Sequence, residues 1–218
     1  MNFPAEKVYE GLSVNAKKRK VKSTAATGTK ARAALRRCES TKETAGNTPT
    51  LSTVIEIYRT LNSTLESGKI LYFTAKSLAE IMDLVRCSFI SLEPEKGIGR
   101  VMACKDDPNI HDLVIKLKNY PEITKVMNTG EPVIITDVGQ DPIMSKVSEL
   151  TEGIRDHSIM TLPLSVQGRT LGVLQIRKKG KPKGFNNNEI EFCRIVASSA
   201  AIAFKNAQLY KDLENRNY

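Results

Sequence analysis

The stretch NYPEITKVMNTGEPVIITDVGQDP, Asn119 to Pro142, decides the fold, because no single regular element can hold it. Asn119 or Tyr120 can cap a short helix with Pro121 in its first turn, Glu122 set against the positive end of the dipole and Gly130 as its stop. PVIITD then reads as a short strand, and Asp141 caps a second short helix with Pro142 at its first position. The segment is too regular for a loop and too broken for one helix.

Downstream lies SIMTLPLSVQGRTLGVLQIRKK, two strands joined at Gln167-Gly168. In the second strand Leu171 and Val173 are expected to face one way, Leu174 and Ile176 the other, so both faces are expected to be covered. The helix that follows has a full start signal. Asn186 caps it, Glu189 reaches back as the third helical residue, and Phe185 staples onto Ile190. It carries two apolar stripes. One is Ile190, Cys193, Ala197, Ala200, Phe204 and Ala207, small enough for close approach to a sheet. The other is Phe192, Ile195, Ile202 and Leu209, which asks for a partner.

Upstream, Leu51, Val54, Tyr58, Leu61 and Leu65 step by three and four as one helical seam, ended or kinked at Ser67-Gly68. A second helix is expected over Lys69 to Val85, with Ile70, Phe73, Leu78, Ile81 and Leu84 inward. CSFISLEPEKGIGRVMAC then changes period to two, giving a hairpin of Cys87–Glu93 and Ile98–Cys104 around a Pro/Gly turn.

Composition bounds the rest. The 218 residues, 40% apolar, allow one medium domain with appendages. The net charge of +9 is uneven: residues 1–49 hold 11 Lys/Arg against 4 Asp/Glu, and residues 50–218 hold 22 against 20. The tail AKKRKVKSTAATGTKARAALRR lacks large apolar residues and is expected to be largely disordered, with nascent helix near Ala31 to Arg37. Its KKRKVK run is a solvated basic patch or a polyanion-binding or nuclear-import signal. Nucleic-acid association through residues 17–37 would be nonspecific and salt-sensitive, since the body is nearly neutral. No run of about 18 apolar residues spans a bilayer and no signal peptide opens the chain, so a cytoplasmic protein is expected.

Cys38, Cys87, Cys104 and Cys193 form no C-x-x-C pair and read as buried thiols in a reducing compartment. No Ser/His/Asp set, paired catalytic carboxylates, metal-spaced cluster or phosphate-cradling glycine loop is present. An enzyme is not expected.

The order of elements is α+β with helices at the chain ends. From about Thr50 to Arg216 it resembles a GAF domain, the small-molecule sensor module of bacterial signalling proteins. The residues that carry the likeness are YPEI at Tyr120 to Ile123, TGEPVIITD at Thr129 to Asp137, Asp141-Pro142, SIMTLPL at Ser158 to Leu164, GRTLGVLQIR at Gly168 to Arg177, Phe185 with Glu189, and NAQLY at Asn206 to Tyr210. The resemblance implies an antiparallel sheet of five to six strands with N- and C-terminal helices on one face. Short helices and loops would form a pocket on the other, roofed by the opening segment. The division is then a basic tail over 1–49 and a GAF domain over 50–218.

What the resemblance implies about function is a non-catalytic regulatory module. It would bind an unidentified small molecule, dimerise through its terminal helices and pass its signal to an output such as a kinase or cyclase. The wall residues expected on that basis are Phe89, Met102, Cys104, Tyr120, Asp137, Ile143, Ser158 and Met160. Asp137 and Ser158 would orient a ligand or serve as turn residues. KGFNNNEIEF keeps Phe185 but departs from the cyclic-nucleotide signature, and the DPIMSKVSELTEGIRDHS segment has no cysteine for a bilin. His157 and His111 are the candidate haem ligands, although a lone histidine is more often a surface or rim residue. The enzymatic alternative within the fold is a free methionine sulfoxide reductase, with Cys87 and Cys104 on adjacent strands as its thiols.

Overall fold

A computed structural model of the chain describes residues 67–216 apart from 109, 111–112 and 181–183, with side chains described between 69 and 206. The basic tail, the seam from Leu51 to Leu65, Cys38, His111, and the side chains of Ala207 and Leu209 lie outside the described residues.

Helix α1 (Ser67–Met82) leads into β1 (Arg86–Glu93) and β2 (Ile98–Cys104), followed by β3 (Leu113–Lys116). Helix α2 (Pro121–Thr129), β4 (Val133–Ile135) and two 3-10 turns (Met144–Leu150 and Glu152–Ile154) come next. β5 (His157–Val166), β6 (Arg169–Lys179) and the long α3 (Asn187–Arg216) complete the chain. The strands form one six-stranded sheet in the order β3-β2-β1-β6-β5-β4, with every neighbouring pair antiparallel. This is the α+β architecture implied by the resemblance. The short strand β3 was not read from sequence: it is a mostly exposed edge, so its residues LVIK carry no alternation.

Local chemistry sets the boundaries. Helix α1 stops at Met82, short of the expected Val85, because Asp83 takes a left-handed conformation (φ 52°) and the Leu84 amide donates back to the Ala79 carbonyl. That is a Schellman-type ending with Asp in place of glycine. The face of α1 that packs inward is Ile70, Leu71, Ala75, Leu78, Ala79 and Met82; Phe73 and Ile81, expected inside, are only partly buried. Gly130 ends α2 in the left-handed region as expected, at φ 69°.

At the start of α3 the capping box is complete: the Glu189 amide donates to Asn186 Oδ1 and the Asn186 amide to Glu189 Oε2, both at 2.9 Å. Lys178 Nζ adds a bond of 2.7 Å to Glu189 Oε1, tying the helix start to β6. The β5–β6 turn has Gln167 and Gly168 both at positive φ, 53° and 77°, the type I′ pattern that matches strand twist.

Two cores lie on the two faces of this sheet. On one, α1 and α3 pack Leu71, Leu78, Met82, Phe192, Cys193, Val196 and Phe204 against Cys87, Phe89, Met160, Leu162, Leu174 and Ile176. On the other, Tyr120, Ile123 and Val126 of the α2 segment, with Val138, Met144 and Ile154, pack over Ile90, Val101, Cys104, Val133, Ile135, Ile159 and Val173. Leu171 departs from expectation by joining the helix-side core while Val173 faces the front. The β5–β6 register skips at this point, Leu164 opposing Gly172 and Ser165 opposing Thr170, so Leu171 is the extra residue of a bulge. Beside it, a side chain at Gly172 would collide with the Ile90 carbonyl of β1, so only glycine allows these two strands their close approach.

Candidate functional site

Strand pairing aligns the front face into rows. One row is Cys104, Ser88, Gln175, Thr161 and Val133, running across β2, β1, β6, β5 and β4; the next is Arg86, Arg177, Ile159 and Ile135. The two rows place five polar side chains, Arg86, Ser88, Thr161, Gln175 and Arg177, at the centre of an otherwise apolar surface, and all five are buried. Their burial is the work of the roof. Glu122, on the first turn of α2, is fully buried and turned down to the sheet, where Gln175 Nε2 donates to its Oε1 at 2.7 Å. Glu122 stands in the first turn of α2 as expected, with its own backbone among the groups that favour its charged form, and its side chain also spans from roof to floor.

The electrostatics of this patch follow from enclosure. Burial pushes the Glu122 carboxyl up to about 7, against the smaller lowering effects of its own backbone, Gln175 and Arg177. Burial and the neighbouring Glu122 raise the Tyr120 phenol, with Arg86 and Arg177 opposing. His157 at the head of β5 is held below its usual range by burial and then by Arg177, although its Nδ1 stands 2.9 Å from Asp156 Oδ1. Arg86 Nη2 lies 3.9 Å from Asp106 Oδ2. Arg86 Nε, Glu122 Oε2 and Thr161 Oγ1 are buried with no hydrogen-bond partner among the described residues. Buried polar atoms in that condition are uncommon in folded proteins.

The expected wall residues divide. Cys104 and Tyr120 belong to the front core, and Ile143 packs against it. Phe89, Met102 and Met160 pack in or against the helix-side core, so the sheet separates them from the roof; their expected place in a front pocket is corrected by strand parity. Asp137 Oδ1 accepts from the Gly139 amide at 3.0 Å, an Asx turn, and Ser158 Oγ donates to the Thr136 carbonyl. Asp137 thus makes the turn contact that was open for it, whereas the Ser158 bond ties β5 to the end of β4. Arg86, Ser88, Glu122, Thr161, Gln175 and Arg177 were missed. Their signal was present in sequence: Gln175 and Arg177 interrupt a strand read as covered on both faces.

The thiols give the reductase alternative little chemistry. Cys87 packs in the helix-side core and Cys104 in the front core, on opposite faces of the sheet. Burial raises the pKa of both, and lifts Cys193 to about 12. A thiol needs the reverse shift to act as a nucleophile.

The sequence profile of the GAF domain matches residues 66–205. The chain belongs to the GAF domain family. A curated relative, the hybrid signal transduction histidine kinase G of Dictyostelium discoideum, is 30% identical over 88 residues, which is 40% of this chain and only 2% of that protein's length. Among solved structures, the GAF domain of a phosphoenolpyruvate-protein phosphotransferase from Coxiella burnetii superposes with a TM-score of 0.64 at 22% identity, covering 74% of this chain and 96% of that one. The free methionine-R-sulfoxide reductase of Neisseria meningitidis, solved in complex with its substrate, superposes at 0.58 and 16% identity, covering 72% of this chain and 89% of that one. At these identities the structural likeness establishes the GAF fold alone. Among the described residues, no helix of this GAF domain is long and apolar enough to cross a membrane.

Proposed function

We propose that this chain is a non-catalytic sensor module of cytoplasmic signal transduction. A small molecule binds between the α2 roof and the centre of the sheet, and the terminal helices pair with those of a second copy to pass the signal to an output protein such as a kinase or cyclase. The observation that supports this most is the enclosed polar patch, where Glu122, Thr161 and Arg86 bury polar atoms with no partner among the described residues. Cys104, Tyr120 and Ile143 would border the ligand. The family membership and the likeness to part of a histidine kinase are in keeping with this role.

Native mass spectrometry of the full chain, paired with a thermal-shift screen of small metabolites, tests the reading. A bound or stabilising compound whose effect is lost in Glu122→Ala is the expected outcome. A chain that carries nothing and responds to nothing would sink it.

The second reading is a thiol reductase, favoured by the likeness to the Neisseria enzyme. Thiol labelling of the native protein separates the two. Slow labelling of Cys87 and Cys104 supports the sensor, and rapid labelling of either supports the reductase.

A further inference from the structure

Glu122 Oε2, Arg86 Nε and Thr161 Oγ1 are buried without a hydrogen-bond partner among the described residues, and they differ in the partner each one needs. Glu122 is fully buried and already accepts from Gln175 Nε2 through Oε1, so its ionised Oε2 needs a donor. Arg86 Nε carries a hydrogen and needs an acceptor; the approach of this side chain to Asp106, at 3.9 Å, is made through Nη2. Thr161 Oγ1, also fully buried, can give a hydrogen bond or take one.

Strand register brings these atoms to one place. Gln175 stands opposite Thr161 on one side and Ser88 on the other, and Arg86 precedes Ser88 by two residues on the same face of β1. Glu122 comes down from α2 onto Gln175, between them. With strands about 4.8 Å apart and alternate residues about 7 Å apart, one small molecule can span the set. An anion would turn acceptors toward Glu122 Oε2, and a cation would turn donors toward Arg86 Nε. Either would also carry a further charge into an enclosed place, at a cost in hydration.

Resting on the sensor reading above, we propose that the ligand of this site is an uncharged molecule presenting a hydrogen-bond donor beside an acceptor, as a carboxamide or a vicinal diol does. Its donor is received by Glu122 Oε2, and its acceptor faces Arg86 Nε and Thr161 Oγ1.

The test is thermal unfolding of the full 218-residue chain with a panel of small amides and polyols that includes succinamide and erythritol. Succinate and diaminobutane, of the same carbon count, are the anionic and cationic controls. Measurement at about pH 8 keeps Glu122 ionised, since burial pushes its carboxyl to about 7. At least one amide or polyol is expected to give a saturable rise in the midpoint, by about 5–10 °C at a hundredfold excess over its Kd. The panel shows whether the amide or the diol is the preferred source of the pair. Glu122→Gln keeps an acceptor for Gln175 but sets an amine donor in place of Oε2, and is expected to weaken binding at least tenfold. Thr161→Val removes the hydroxyl with little change of shape. Affinity is expected to fall about three- to tenfold, while the midpoint without ligand does not fall, because no bond within the fold is lost. A hydroxyl with only a structural role would give the reverse, a lower midpoint and unchanged affinity. That result, or an undiminished response in folded Glu122→Gln, overturns the assignment. Stabilisation by succinate or diaminobutane alone overturns the uncharged class and leaves the sensor reading standing. A site filled only by water responds to none of the compounds, and with nothing bound or stabilising both readings fall.

Discussion

Along the same two strands, β1 and β6, the helix side carries Cys87, Phe89, Leu174 and Ile176, whereas the front carries Arg86, Ser88, Gln175 and Arg177 beside the apolar Ile90 and Val173. Both sets are buried, and the backbone that presents them is shared. The helix side gains from every side chain it encloses, at about 25 cal/mol per Å² of apolar area removed from water. The front encloses groups that lose hydration and must recover it through bonds such as Gln175 to Glu122. A sheet that needed only to be stable would be apolar on both faces. The asymmetry separates a face that is apolar throughout from one whose apolar core surrounds a polar patch.

The largest effect should come from the helix side. Phe89 is fully buried between the sheet and the terminal helices, so Phe89→Ala is expected to cost about 3–5 kcal/mol in urea unfolding. The polar front should still respond to its ligand wherever the variant remains folded. A loss of ligand response larger than the loss of folded fraction would mean the two faces are not separable.

The next effect belongs to the front and has a sign that packing cannot mimic. Glu122 titrates near 7 in the folded chain against 4.5 in the unfolded one. Below 4.5 it is protonated in both states and costs nothing. As pH rises from there to about 7 the unfolded state loses its proton first, so stability falls, by about 3 kcal/mol in all, and then levels. Glu122→Gln, which can still accept from Gln175, should remove that slope. The stability difference between variant and wild type should be near zero at about pH 4 and largest at about pH 8. A difference that does not change with pH would show that the carboxyl is not enclosed.

These two sites were unequally visible in the sequence. Elements governed by local chemistry were legible: the α3 start from Asn186 and Glu189, the hairpin from its Pro/Gly turn, the α2 stop at Gly130. The faces of the strands were legible only as far as the register was regular. One bulge residue, Leu171, moved to the face opposite the one expected, and the parity of β1 and β5 set Phe89 and Met160 under the helices rather than under the roof. The polar patch is assembled from α2 and three strands far apart in the chain, so no local pattern announces it. Its trace was a conflict: Gln175 and Arg177 are costly choices in a strand buried on both faces.

A smaller effect tests the helix side again, now at its edge. Asn186→Ala removes one half of the capping box, which should cost about 1 kcal/mol. Glu189 keeps its bond to Lys178, so the loss should not reach the value expected for Phe89. A cost of several kcal/mol would show that α3 is held chiefly from its first turn.

The smallest effect on folding is expected on the outer surface of α3. The second stripe read from sequence included Phe192, but Phe192 is buried in the helix-side core; Ile195 and Ile202, seven residues apart and therefore on one side of the helix, are each about half exposed, at 47% and 48%. If this stripe pairs with a second copy, a charge at its centre should break the pair without disturbing the sheet beneath. Ile202→Lys should change monomer stability by no more than about 0.5 kcal/mol, as an exposed position does. In sedimentation velocity at concentrations on the order of tens of micromolar, it should shift a dimer to monomer. A wild-type chain that is monomeric throughout that range would remove the helix pairing from the proposed mechanism. The front-face site would be untouched by that result, because its residues come from the opposite side of the sheet.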